Sequence, residues 1–437
     1  MPVTAWAEPA AAVAAGPSIL GIPLDFILFA LVLLGVALFS ENTLQVGLIG
    51  ATTIVLYKVF FAGFKHGTGL AGLGLHFQHE WVTLANLFCL LMGFALLSNH
   101  FEHSKVPDIL PRFIPGGWKG GFVLLCMVFV LSSFLDNIAA ALIGGAIART
   151  VFRGKVHIGY LAGIVAASNA GGSGSVVGDT TTTMMWIAGI SPGAVFHAYA
   201  GALIALFICG IPAAMQQDKY SPISVSHGEV VKVDVVRVAL VAFILVVAIL
   251  VNMVVNLKFN EISDTFPFIG VGVWAALLVS IPLRQPEWKI IPETFKGSIF
   301  LLSLVLCASL MPVEKLPPAS WPVAMGLGYV SAVFDNIPLT ALAIKQGGYD
   351  WGALAYSVGF GGSMIWFGSS AGVALTNMFP EAKSVGKWVK DGYHVTIAYT
   401  IGFFVLLAIM GWHPSSDRYH TGTPTVQTHM STPSTNH

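Results

Sequence analysis

Apolar stretches long enough to cross about 30 Å of hydrocarbon recur along this chain. They fall at residues 22–39, 44–63, 81–99, 156–187, 192–213, 235–255, 265–283, 297–312, 350–377 and 394–412. Backbone in lipid must satisfy its own N–H and C=O groups, so each stretch reads as helix and the fold class as an all-α polytopic membrane protein. Composition agrees: of 437 residues 55% are hydrophobic and only 10% charged, against roughly 25% charged in soluble domains, and mean hydropathy is +0.78. The 21 basic and 21 acidic side chains balance, leaving no electrostatic footprint for nucleic acid or an acidic partner. Cys89, Cys126, Cys209 and Cys307 lie singly in apolar runs, without the close pairing of a zinc or redox motif, and read as small packing residues. The first twenty residues hold no Lys or Arg, unlike the positive region of a cleaved signal peptide, so membrane entry is expected to fall to the first span.

Two further stretches, 118–149 and 319–346, are apolar at both ends but carry Ser, Asp and Asn at the centre. Each fits a re-entrant pair of half-helices better than one straight span. Basic residues collect on the cytoplasmic side of short loops, which tests that reading. With both stretches as hairpins, fifteen Lys and Arg fall on one face, Lys105, Arg149, Arg153 and Lys155 among them, and five on the other: Lys65, Lys258, Lys315, Lys345 and Arg418. Lys58 is left near the end of a span, where it can snorkel. This layout opens the first hairpin to the cytoplasm and the second to the exterior. The chain then divides into an N-terminal segment, 1–17; leading helices, 18–99; a first repeat core, 118–213; intervening helices, 235–312; a second repeat core, 319–412; and a polar tail, 413–437, expected to be disordered. The longest hydrophilic connection before that tail is 212–234.

The two cores repeat one pattern. VLSSFLDNIAAAL at 130–142 aligns with YVSAVFDNIPLTA at 329–341, placing Asp136 over Asp335 and Asn137 over Asn336 at an offset of 199. SNAGGSGSVVGDTTTTM at 168–184 aligns with VGFGGSMIWFGSSAGVA at 358–374 at an offset of 190. That pairs Gly171, Gly172, Ser173 and Gly178 with Gly361, Gly362, Ser363 and Gly368. Two such copies in opposite orientation form the inverted repeat of a secondary transporter, in which a midplane site opens alternately to either side. The Gly-rich interruptions let backbone unwind and approach closely, and freed carbonyls are tolerated at depth only against protein, ion or water. These eight residues are therefore expected to line a site.

Asp136, Asp179 and Asp335 are the carboxylates that no loop or helix end accounts for. A charge at the bilayer centre costs about 3 kcal/mol on insertion scales, and the nearest basic residues lie in loops. Cations or protons are the expected partners, sodium being the metal considered; the bland alternative is a neutral carboxyl or a cap on hairpin N–H groups. Asn137 and Asn336 are placed to ligate sodium or cap a half-helix, and Asn169 in the Gly-rich run joins the candidate set. Threonines in membrane helices often bond to their own backbone, and Thr180 is the favoured ligand of the run 180–183. Ser369 and Ser370 stand opposite Asp179 and Thr180, so the halves are chemically unequal and a single acidic site is expected. His66, His76, His79, His100 and His103 read as interface histidines around loops near the third span, with a pH gate as the sharper alternative. Trp81, Trp118, Trp321 and Trp351 fit interfacial anchors.

SNAGGSGSVVGDTTTTMMWI at 168–187 closely resembles the Asn-Ala-Gly-Gly…Gly-Asp-x-Thr-Thr-Thr-Met motif of NhaD-type sodium/proton antiporters, and FDNIPL at 334–339 and GGSMIWFGSSAGVA at 361–374 resemble that family's second-half signatures. The likeness runs from about residue 80 to 392. It implies membership of the ion transporter superfamily, with homodimers, inverted repeats, re-entrant hairpins and sodium near the hairpin tips, in the inner (cytoplasmic) membrane. One departure stands out: the family's threonine run after the first Asp-Asn is replaced here by Ile138, Ala139, Ala140 and Ala141.

The leading functional expectation is exchange of sodium or lithium for protons, the ions competing for Asp179, with Asp136 and Asp335 completing the site or conducting protons. No cofactor is expected beyond these coupling ions, and no Walker-type phosphate loop is present. The alternative is sodium-coupled uptake of citrate, a dicarboxylate or another anion, for which the sequence offers Ser173, Ser363 and the hairpin tips as donors but no midplane Arg or Lys, and three aspartates that would repel a carboxylate. An enzyme is least favoured, because no nucleophile–base pair or His-rich constellation falls within the spans.

Overall fold

The computed structural model describes residues 16–39, 42–65, 67–223, 232–259, 262 and 265–415. His66, Arg418, nearly all of the segment 1–17 and the polar tail from 416 lie outside the described residues. The described chain is almost wholly helical, the strands being a two-residue pair, β1 (Ser18–Ile19) and β2 (Ile22–Pro23). The leading helices are α1 (Leu24–Leu38), α2 (Thr43–Tyr57), α3 (Gly69–Glu102) and a short α4 (Val106–Ile109). The first core holds α5 (Trp118–Ser132), α6 (Asn137–Val151), α7 (Ile158–Ser173), α8 (Thr180–Ile187), α9 (Pro192–Phe196) and α10 (Tyr199–Tyr220). Next come α11 (Val235–Lys258), α12 (Phe268–Ser280) and α13 (Ile291–Ser309). The second core holds α14 (Trp321–Ser331), α15 (Asn336–Gln346), α16 (Trp351–Gly361), α17 (Ser370–Met378), α18 (Val385–Asp391) and α19 (Tyr393–Met410).

Both polar-centred stretches form helix–turn–helix pairs, α5/α6 and α14/α15, and both Gly-rich stretches are broken helices, α7/α8 and α16/α17. Packing is reciprocal between the cores. Within each, the first hairpin arm lies on the first half of the broken helix, α5 on α7 and α14 on α16. Across the cores, α6 packs on α17 and α15 on α8, while α7 meets α16 and α10 meets α19. The glycines make these crossings possible. A Cβ on Gly171 would sit 2.0 Å from the Phe129 carbonyl oxygen, and one on Gly361 would sit 2.3 Å from that of Gly328. Such distances leave no room for any side chain, so backbone meets backbone at the same place in both copies.

Several boundaries and burials differ from the sequence expectation. The third span, expected at 81–99, belongs to a 34-residue helix, α3. Its first turns, GLAGLGLHFQHE, hold no proline, and packing against neighbouring helices carries the helix through glycines and histidines. His76, His79 and His100 consequently lie within the helix. His76 Nε2 is 3.0 Å from Ser309 Oγ, and His100 Nδ1 accepts from Arg237 at 2.9 Å; both histidines are buried. The connection 212–234 starts late, since α10 continues through Pro212 to Tyr220. Trp351 is 2% exposed, a core residue and not an interfacial anchor. Lys58 does not snorkel: it begins a π-helical turn, Lys58–Ala62, and its Nζ lies 2.7 Å from Asp25 Oδ1 with both side chains buried. Lys345 is likewise drawn inward, its Nζ donating to the carbonyls of Ser309 and Met311 at the end of α13. At the loop before α11, the Arg284 guanidinium 2.8 Å from Asp234 holds that carboxyl below its ordinary pKa range.

Candidate functional site

Asp136, Asp179 and Asp335 each stand immediately before a helix and cap it. Asp136 Oδ2 accepts from Ile138 N at 3.3 Å, Asp335 Oδ1 from Ile337 N at 2.9 Å and Asp179 Oδ1 from Thr181 N at 3.0 Å. The backbone repeats with the residues: φ/ψ is −53°/141° at Asp136 and −52°/140° at Asp335. A capping carboxylate also sits at the positive end of its helix dipole, where negative charge is favoured. The capping alternative for these aspartates is therefore realised, and it uses one oxygen of each. What distinguishes Asp179 is the other oxygen. Oδ2 is buried and has no hydrogen-bond partner, in a residue only 2% exposed.

The interruptions around it are held rigidly. Thr182 Oγ1 donates to the Ser175 carbonyl at 2.6 Å and Thr183 Oγ1 to that of Val176 at 2.9 Å, so these two threonines tie down the break between α7 and α8. Gly171's carbonyl accepts from Ser133 at 3.2 Å and from Tyr199 at 3.0 Å, and Ser363's accepts from Trp388 Nε1. Protein donors thus occupy these freed carbonyls. Gly178 and Gly368 serve close approach as well, a Cβ there meeting the carbonyls of Ser132 at 2.2 Å and Ala332 at 2.6 Å. Gly172 and Gly362 pack against the backbone at Gly178 and Gly368.

An amide bridge crosses between the cores. Asn137 Nδ2 donates to Asn169 Oδ1 at 3.0 Å, and Asn169 Nδ2 donates to Ser363 Oγ at 2.9 Å and Ser369 Oγ at 3.1 Å. All four residues are buried. Ser370 Oγ donates to Asp335 Oδ2 at 3.2 Å. Asn336, the counterpart of Asn137, is 2% exposed and its Nδ2 lacks a partner. Ser173 is buried, its hydroxyl donating to the Ala170 carbonyl at 2.9 Å.

A cavity of about 830 Å³ reaches the site. Asp136, Asp179 and Thr180 line its inner end and the exposed Glu102, Asp108 and Glu293 its outer end. Those outer residues neighbour Lys105, Arg112 and Lys289, on the basic face of the chain. Five carboxylates line the cavity, and among the described residues no Lys, Arg or His does. Asp335, Asn336, Ser369 and Ser370 do not line it, and none of the eight residues expected to line the site at the helix breaks does so. No three His, Cys, Asp or Glu side chains among the described residues converge as around a multidentate metal. Sequence reasoning missed the outer wall, Ser98, Asn99, Glu102 and Glu293. The packing of α3 against α13 brings this wall together.

Fold and site together define a multi-pass, all-helical membrane protein built from two quasi-equivalent halves with broken helices, around a buried acidic centre. No family model matches the chain. Curated relatives do: sodium/proton antiporter 1 of Arabidopsis thaliana, 26% identical over 381 residues, covers 76% of this chain. The NhaD sodium/proton antiporters of Vibrio parahaemolyticus and Alkalimonas amylolytica are 25% and 26% identical over 68% of it. The match spans 62% of the Arabidopsis protein, 84% of the Vibrio protein and 72% of the Alkalimonas protein. The chain is thus a relative of the NhaD-type antiporters over most of its length, in keeping with the resemblance of its two motifs.

Proposed function

We propose that this protein exchanges sodium or lithium for protons by alternating access in the cytoplasmic (inner) membrane, as a homodimer, with Asp179 as the carboxylate that proton and cation share. The observation that carries the reading is Asp179, which lines an acid-lined cavity and whose Oδ2 atom is buried and unpartnered. A desolvated carboxylate needs a neutralising partner, and with no basic side chain lining the cavity among the described residues a proton or a cation takes that role. Either occupant excludes the other, which couples the two flows without ATP. By the basic-residue rule the cavity faces the cytoplasm, so this is the inward-open arrangement. Asp136, beside the path, relays protons or completes the site when the cavity closes; Asp335, capped by Ser370 and off the cavity, serves the opposite opening.

An anion symporter would have to bring a carboxylate past Glu102, Asp108 and Glu293 into a cavity that, among the described residues, no Lys, Arg or His lines, and like charges facing one another are unfavourable. The deciding experiment is transport in proteoliposomes under an imposed proton gradient, comparing sodium, lithium, potassium and citrate. Proton flux driven by sodium or lithium is expected. Citrate uptake without it would overturn the proposal.

A further inference from the structure

The amide bridge has no counterpart in the second half, and the gap it leaves lies against Asp179. At the offset of 190 that relates the broken helices, Asn169 corresponds to Gly359, Ser363 to Ser173 and Ser369 to Asp179. Asn169 sends its side chain to Ser363 and Ser369. The Cβ direction of Gly359 points at the two equivalent residues: a Cβ there would lie 3.2 Å from Ser173 Cβ and 3.6 Å from Asp179 Oδ2. One half therefore fills this position with an amide, and the other has no side chain there, beside a carboxylate. The two polar groups that an amide at 359 would satisfy by symmetry are the ones found buried without partners, Asn336 Nδ2 and Asp179 Oδ2. Buried polar groups are satisfied in the great majority of cases, so two orphans around one missing side chain mark a place for a ligand.

We infer that the side-chain gap at Gly359 is the seat of the transported alkali cation, held between Asp179 Oδ2 and the Asn336 amide, and that the bridge through Asn169 plugs the quasi-equivalent seat in the other half. The inference rests on the reading of Asp179 as the cation-binding carboxylate. Asn336, rotated about its terminal torsion, presents its oxygen in place of nitrogen. Carboxylate and amide oxygens suit a hard cation, and with protein atoms 3.2–3.8 Å from the Cβ position the gap is too narrow for an ion to keep its full hydration shell. Gly359 is in this account the specificity-determining residue: it decides which half binds the ion and how many ions bind.

The test is sodium binding by titration calorimetry on purified protein, backed by sodium-dependent thermal stabilisation. Wild-type protein is expected to bind one sodium per chain; two equivalents would overturn the inference without any variant being made. Gly359→Ala puts a methyl against Oδ2 with only a small adjustment by Ser173 and is expected to weaken sodium binding at least tenfold. Gly359→Asn is expected to abolish it. Gly359→Ala should leave the melting temperature without sodium near that of wild type. Sodium affinity within twofold of wild type in either variant would refute the seat. Asp179→Asn in the same assay separates the two levels: if it loses binding while the Gly359 variants keep it, only the seat is wrong. If all three bind like wild type, the assignment of Asp179 falls as well.

Discussion

Asp179 and Ser369 occupy one position in two copies of the same structure. Their backbones agree, φ/ψ −146°/144° and −143°/152°, and each side chain caps the helix that follows, Asp179 accepting from Thr181 N and Ser369 from Gly372 N. One is an acid and the other an alcohol. The fold thus builds two equal frames and loads only one with a group able to exchange a proton for a cation.

That inequality makes the substitution at Asp179 decisive. Asp179→Asn retains the cap and the shape but cannot titrate, and is expected to reduce sodium-dependent proton flux in proteoliposomes at least a hundredfold while remaining monodisperse. In wild type, proton and sodium compete, so lowering the pH on the sodium side should raise the sodium concentration for half-maximal flux with little change in the maximum. A pH-independent half-saturation would contradict a shared site.

The missing threonines after Asp136-Asn137 are not equivalent. Ala139 lines the cavity, whereas Ala140 and Ala141 are fully buried. Ala139→Thr adds a hydroxyl near the ion path and should change apparent sodium affinity a few-fold with normal stability. Ala140→Thr overpacks the core, at a cost of about 1–3 kcal/mol, and should lower the melting temperature with affinity unchanged. The reverse pattern would show that the helix faces are misjudged.

Orientation of the two hairpins is tested by labelling single cysteines in a background without the four native ones. Lys155 and Lys315 are both exposed, which suits them better than the partly buried Lys345. Membrane-impermeant maleimide in whole cells should label position 315 and reach position 155 only after permeabilisation. Labelling of both from one side would exclude the inverted arrangement.

The Asp25–Lys58 pair lies apart from the acidic centre and has a structural signature. Removing one partner of a buried ion pair costs about 3–5 kcal/mol, so Asp25→Asn and Lys58→Met should each lower the melting temperature sharply. The double variant should recover most of the loss. If each single variant is as stable as wild type, the pair is not buried in the membrane-embedded protein.

A membrane fold, the two hairpins, the two breaks and the aspartates at their ends were determined by the sequence itself. These are local matters: an apolar run of sufficient length must be helix in lipid, and a polar, Gly-rich or Asp-Asn centre within such a run marks where it is interrupted. The motif carried the relationship to the antiporters for the same reason. Which atoms meet was decided only by tertiary structure. Asn169 looked like one more ligand in a polar run until packing showed both ends of its amide bonded to protein. Gly359 carried no signal at all, because its closeness to Asp179 Oδ2 exists only once α16 lies against the first core. Glu102 and Glu293 are ordinary helix-end acids in sequence, and become part of one cavity because α3 packs on α13. Lys58 found Asp25, at the far end of the preceding helix pair, because a buried ammonium draws the nearest carboxylate that the fold can bring to it, and no spacing along a chain reveals that distance.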